Sequence, residues 1–138
     1  MANTMTMLEQ PAKLRRAAKL LSQSADAMAE ARKAALANDP PTITPGDFKL
    51  SILHENSMRD ALTTVLLQAI DSTIQGIQGS QADLEKAITE ASDKISKLND
   101  IKKAFAVFAS LIGLAQAIVT ASPGGIIDAL SAVQQAAS

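Results

Sequence analysis

The feature that most constrains this fold is an uncharged apolar segment in the last third of the sequence. No charged residue occurs between Lys103 and Asp128, and residues 104–121 read AFAVFASLIGLAQAIVTA. The polar side chains within this segment are Ser110, Gln116 and Thr120. A helix that is apolar around its whole circumference must be surrounded by other protein or by lipid. The segment therefore predicts a helix that needs a partner.

The composition favours an all-α fold. Apolar residues make up 47% of the 138 residues but aromatic residues only 2%, so the apolar volume is mostly Ala, Leu and Ile, which suits helix-on-helix packing. We expect one domain over residues 1–138, built as an elongated bundle of about four helices. One of these helices should be long and coiled-coil-like, and the last two should form a C-terminal helical hairpin.

Helical spacing of apolar residues predicts helix 1 over residues 7–38, with Pro11 tolerated in its first turn. The Pro40–Pro41 pair stops this helix, and residues 39–56 are expected to be a linker that can hold a short helix. Helix 2 is predicted over residues 57–78, because Ser57 with Asp60 three residues later is close to a capping-box arrangement.

Helix 3 is predicted over residues 80–121, beginning at Ser80 and Asp83 and ending in the apolar half, residues 104–121. A straight helix of this length would measure about 63 Å, so the molecule should be elongated or bend near Gly113. Helix 4 is predicted over residues 125–137. The hinge between helices 3 and 4 is assigned to Pro123, Gly124 and Gly125.

The apolar half of helix 3 carries the predicted assembly or membrane segment. Small residues recur every four positions from Ala109 to Ala121, which allows another helix to approach closely in lipid or in a protein core. Eighteen residues rise about 27 Å, just short of the roughly 30 Å of bilayer hydrocarbon. The residues assigned to this segment are Phe105, Phe108, Ala109, Leu111, Ile112, Gly113, Ala117, Val119 and Ala121.

Two interpretations of the segment stay open. It is either the central helix of a bundle, screened by other helices or by copies of itself, or it inserts into a membrane. The order of an apolar helix, a Pro-Gly-Gly turn and a second amphipathic helix resembles the membrane-active head of ClyA-type α-helical pore-forming toxins in composition, without a shared motif. That resemblance implies toxin-like membrane insertion.

A basic cluster lies early in helix 1, within a chain of formal net charge −1. It consists of Lys13, Arg15, Arg16 and Lys19. Positive charge at this place is opposed by the helix dipole, so it is either ordinary solvated surface or a contact for an anionic partner. Lipid headgroups or an acidic protein fit better than nucleic acid, because no set of aromatic, Asn or Gln side chains that could recognise bases accompanies the cluster.

No residue set indicates a reaction, a cofactor or a small-molecule substrate. The chain has no Cys, and Glu55 beside its one His, His54, is a poor partner for a shared metal site in either a helix or a loop. The start of the sequence lacks the pattern of a cleaved signal peptide, so we expect a cytoplasmic protein, a membrane-associated one or one exported by a signal-independent route. The expected function is non-enzymatic self-association or assembly through the apolar helix, with membrane interaction. The alternative is a soluble helical adaptor or structural subunit.

Overall fold

The computed structural model describes residue 8 and residues 10–71, 79–98 and 100–138. In these parts of the chain all regular structure is helical, as the composition predicts. The helices are α1 (Pro11–Ala37), α2 (Pro45–Asp71), α3 (Gln81–Lys97), α4 (Ile101–Thr120) and α5 (Pro123–Ala137). The described chain thus forms five helices rather than about four.

Helix α1 follows the predicted apolar stripe. Pro11 occupies its first turn, where the missing N–H removes no helical hydrogen bond. Leu14, Ala18, Leu21 and Met28 are buried along one face. The predicted start at residue 7 is wrong, because Gln10 has an extended backbone and precedes the helix as its N-cap. Residues 7 and 9 lie outside the described residues.

Helix α2 begins at Pro45, so the prediction of a linker over residues 39–56 and a helix start at Ser57 is wrong. The true start carries its own cap: the Thr44 hydroxyl accepts a hydrogen bond from the Asp47 amide at 3.1 Å. Pro45 suits the first turn. Ser57 lies in the middle of α2, and the predicted end at residue 78 lies outside the described residues.

The predicted single helix over residues 80–121 is also wrong, because it is interrupted between Lys97 and Ile101. The Asp100 carboxylate accepts a hydrogen bond from the Lys102 amide at 2.9 Å and so caps the start of α4. Asp competes with the helical backbone in this way, which favours a break over continuation. One continuous coiled-coil-like helix is therefore not formed. At the start of α3, Ser80 accepts from the Asp83 amide, as its spacing predicts.

The connection between α4 and α5 is shorter than predicted. Ala121 has a left-handed backbone, with φ of 57°, and Ser122 caps α5 by accepting from the Gly125 amide at 3.3 Å. Pro123 and Gly124 therefore lie in the first turn of α5 rather than in a separate hinge. The helix that was predicted to start at residue 125 is α5, and it starts at Pro123.

Helix α4 is the centre of the fold, because it packs against each of the other four helices. Helices α1 and α2 form an extensive pair, α1 also contacts α3, and α5 contacts both α3 and α4. The most apolar of the described helices therefore contributes a large part of the core.

Candidate association surface on α4

The core-facing side of α4 carries its large apolar side chains. Phe108, Leu111, Leu114 and Ile118 have no exposed surface, and Ile112 is only 8% exposed. Helices α1, α2, α3 and α5 together cover this side. Most of the packing partners that the apolar segment needs therefore belong to its own chain.

The opposite side of α4 is exposed and consists of small or uncharged residues. These residues share one face of the helix at three-and-four spacing, which we call the small-residue face: Ala106, Ala109, Gly113, Gln116, Ala117 and Thr120. Ala117 is partly buried and the others are exposed. The face carries no charge over its whole length.

The small-residue face differs from the exposed faces of α1 and α3. The exposed residues of α1 include Arg15, Lys19, Asp26 and Lys33. Those of α3 include Asp83, Lys86, Glu90, Asp93 and Lys97. Charged residues on the outer side are the usual pattern for a surface helix. In α4 they are confined to Lys102 and Lys103 in the first turn, and their absence from the rest of the helix requires a separate reason.

Gly113 is not required by contacts within this chain. A Cβ atom added at Gly113 would meet no atom within 4 Å. Glycine in a helix interior costs about 1 kcal/mol relative to alanine. The fold therefore tolerates a destabilising residue at a position where it has room for a larger one.

The structure divides the predicted assembly segment between these two sides. Ala109, Gly113 and Ala121 are exposed, and Ala117 is partly buried. The larger members of the segment, Phe108, Leu111 and Ile112, belong to the core, while Phe105 and Val119 are partly buried against it. The large and small residues of the prediction therefore do not share one surface.

The basic cluster is only partly available at the surface. Arg16 forms a bidentate pair with Glu85 of α3, with its closest contact at 2.7 Å. The hydrogen bond from Arg16 lowers the pKa of Glu85, against the opposing effect of partial burial. Lys13 is partly buried, whereas Arg15 and Lys19 are exposed.

An ion-pair network between α1 and α2 was not predicted from the sequence. Arg59 binds Asp26 at 3.0 Å and Glu55 at 3.1 Å, and Glu55 also binds Arg32 at 2.9 Å. Arg32 in turn donates to the buried Ser51 hydroxyl at 3.1 Å. The four-residue spacing of Glu55 and Arg59 was the available signal, but it lay across the boundary of the supposed linker.

His54 lies beside this network on α2 and is partly buried. Its Nδ1 atom is buried and has no hydrogen-bond partner among the described residues. Within the same residues, no group of three or more His, Asp or Glu side chains could hold a metal ion.

Exposed large apolar side chains concentrate on α2, a second feature that sequence reasoning missed. Leu53 and Leu67 are 61% and 60% exposed. The remaining members of this group are Leu36 of α1 and Leu50, Ile52 and Leu66 of α2. Half of them lie in the stretch that was expected to be a linker, so their exposure on a helix could not be recognised.

Among the described helices, α4 is the one long and apolar enough to cross a membrane by length and composition. Of its apolar window, 44% is buried inside the fold, so the window contributes to both the core and the surface. The chain matches no protein-family model, and comparisons with curated proteins and with solved structures found no similar protein.

Proposed function

We propose that this is a non-enzymatic helical protein that self-associates by packing the small-residue face of α4 against the same face of a second copy. The observation that carries the proposal is the uncharged small-residue face of α4, together with the open space at Gly113. The large side chains of the predicted assembly segment pack in the core of the monomer, and its small residues remain for the partner.

Close approach of two helices is the physical basis of the proposed contact. Where both helices present Ala and Gly, their backbones approach closely and gain many van der Waals contacts. An identical face suits this surface because neither copy brings a charge that would be desolvated or repelled. A twofold axis would also place Gln116 and Thr120 of each copy within the contact, where they can hydrogen-bond.

The experiment is a measurement of molar mass by light scattering across micromolar protein concentrations. Gly113→Leu and Ala109→Leu fill the small-residue face and should shift the dimer toward monomer. Ala132→Leu makes the same kind of change at an exposed position of α5 and should leave the mass unchanged. A wild-type protein that is strictly monomeric over this range contradicts the proposal.

A second candidate function, insertion of α4 into lipid, is favoured by the length and composition of that helix. Insertion requires α4 to leave the core, since its large apolar side chains are buried there. Vesicle flotation and dye leakage test this function. Gly113→Asp is the appropriate variant, because its position is exposed in the folded chain, whereas Ile112→Asp would also damage the core.

Leakage that Gly113→Asp abolishes supports insertion. Protein that is monodisperse without detergent and ignores vesicles of every charge contradicts it. That result instead supports the alternative of a soluble helical adaptor or structural subunit, in which the core-facing side of α4 never leaves protein.

A further inference from the structure

Charge is distributed unevenly at one end of the α1–α2 pair. Residues 10–25 contain four cations and no acidic residue, and residues 61–70 contain no charged residue. The two stretches lie side by side, because Asp26 of α1 binds Arg59 of α2, and residues that precede Asp26 and follow Arg59 line a common groove. These two stretches therefore carry positive charge and no negative charge, although the chain as a whole has a net charge of −1.

Two of the four cations remain uncompensated. Arg16 is neutralised by Glu85, and Lys13 has contacts of its own. Arg15 and Lys19 are exposed, lie one helical turn apart, and have no acidic partner among the described residues. Their charge is directed to solvent from the same face of α1.

Leucines of α2 lie next to one of these cations, Lys19. A groove of about 520 Å³ separates Lys19 from Leu66, has Ala18 and Leu62 among its lining residues, and extends to Arg59. Leu66 is 46% exposed. Leu67, which is 60% exposed, follows the groove residue Thr63 by one helical turn.

We propose that this end of the α1–α2 pair docks on a lipid bilayer that contains anionic headgroups. We call it the docking surface, formed by Arg15, Lys19, Leu66 and Leu67. Uncompensated cations attract a negatively charged membrane, and their aliphatic stems can lie along apolar surface while the charged ends stay among the headgroups. Leu66 and Leu67 would enter the boundary between headgroups and acyl chains.

A bilayer fits the surface better than an acidic protein or nucleic acid does. An acidic protein surface would satisfy the cations but not the exposed Leu66 and Leu67, whereas the boundary between headgroups and acyl chains of a bilayer can bury both. The inference does not rest on α4, which stays in the core when the folded protein docks. Docking should therefore occur without leakage of the vesicle contents.

The test is cosedimentation of the full chain with phosphatidylcholine vesicles, with and without a minor fraction of phosphatidylserine. Binding should require phosphatidylserine and weaken with added salt. Arg15→Gln and Lys19→Gln should each reduce the partition coefficient about fivefold, and the double variant about 25-fold. Leu67→Ser should lower binding severalfold at every salt concentration.

Matched controls lie elsewhere on the same two helices. Lys33→Gln removes an exposed cation near the other end of α1, and Leu53→Ser removes the most exposed leucine near the other end of α2. Both should bind vesicles as the wild type does. Gly113→Leu separates the two proposals, because it should reduce self-association and leave a monomer that still docks.

Three results overturn the docking proposal. The first is equal binding to neutral and anionic vesicles, and the second is equal loss of binding in the Lys19→Gln and Lys33→Gln variants. The third is binding to soluble polyglutamate without binding to anionic vesicles, which would assign the surface to an acidic protein.

Discussion

Arg16 of α1 donates two hydrogen bonds to the carboxylate of Glu85 of α3, from Nη2 to Oε1 at 2.7 Å and from Nε to Oε2 at 3.0 Å. Gln81 strengthens this junction, because its Nε2 donates both to Glu85 and to the backbone carbonyl of Lys13. The first turns of α3 are thus held against α1 by polar contacts as well as by the buried Leu84.

The Arg16–Glu85 pair gives the stability of the fold a predictable pH dependence. The hydrogen bond from Arg16 lowers the pKa of Glu85, so the folded chain favours the ionised carboxylate. This stabilisation is complete above the ordinary pKa of Glu and is lost as the pH falls through the lowered value. Glu85→Gln should therefore be less stable than the wild type at neutral pH, and the difference should shrink on acidification.

Urea unfolding followed by circular dichroism over a series of pH values measures that difference. Glu90→Gln is the control, because Glu90 is 54% exposed and its ion-pair contact with Lys86 is 3.9 Å long. It should change stability little at any pH. A Glu85→Gln effect that is the same at acidic and neutral pH would show that the pair does not act through its charge.

Phe108 should be the residue of α4 whose truncation damages the fold most. Its side chain has no exposed surface, and removing a buried aromatic ring costs about 3–5 kcal/mol. Phe105, one turn earlier and only partly buried, should cost less when changed to Ala. Chemical denaturation of both variants checks the order, and an equal or larger loss for Phe105→Ala would contradict the assignment of Phe108 to the core.

Ala121→Gly should stabilise the protein. Ala121 ends α4 with φ of 57°, a left-handed conformation that costs an L-residue about 1–2 kcal/mol and that glycine adopts readily. The gain should be about 1 kcal/mol, because glycine also has more freedom to lose from the unfolded chain. Thermal unfolding measures it, and Ala132→Gly, within α5, should show the opposite sign.

The sequence predicts helices well where apolar spacing and capping agree, and fails where a break depends on one polar side chain. Ser80 and Asp83 predict the start of α3 because the cap precedes a clear apolar stripe. Thr44 and Asp47 have the same spacing, but Pro45 and Gly46 between them indicate a loop unless the helix-forming role of a first-turn proline is given more weight.

The candidate site was predictable in part for a related reason. The pattern of small residues from Ala109 to Ala121 is visible in the sequence, but which side of α4 faces solvent depends on the packing of four other helices. The break that Asp100 caps adds to this difficulty, because it separates α3 from α4 and the two helices contact each other. In the sequence, Asp100 resembles the other charged residues on the solvent-exposed faces of the predicted helix 3.

Gly113→Ala should separate the stability of the monomer from its association. The Cβ atom enters open space within a helix, so the variant should gain about 0.5–1 kcal/mol of unfolding free energy. Denaturation at protein concentrations low enough for the monomer to dominate measures this gain. The reciprocal change at an exposed helical position, Ala132→Gly, should lose a similar amount.

A methyl group also widens the gap between two α4 helices, so Gly113→Ala should weaken the proposed dimer while it stabilises each subunit. A variant that gains stability and dimerises as well as the wild type would mean that close backbone approach at Gly113 is not what joins the two copies.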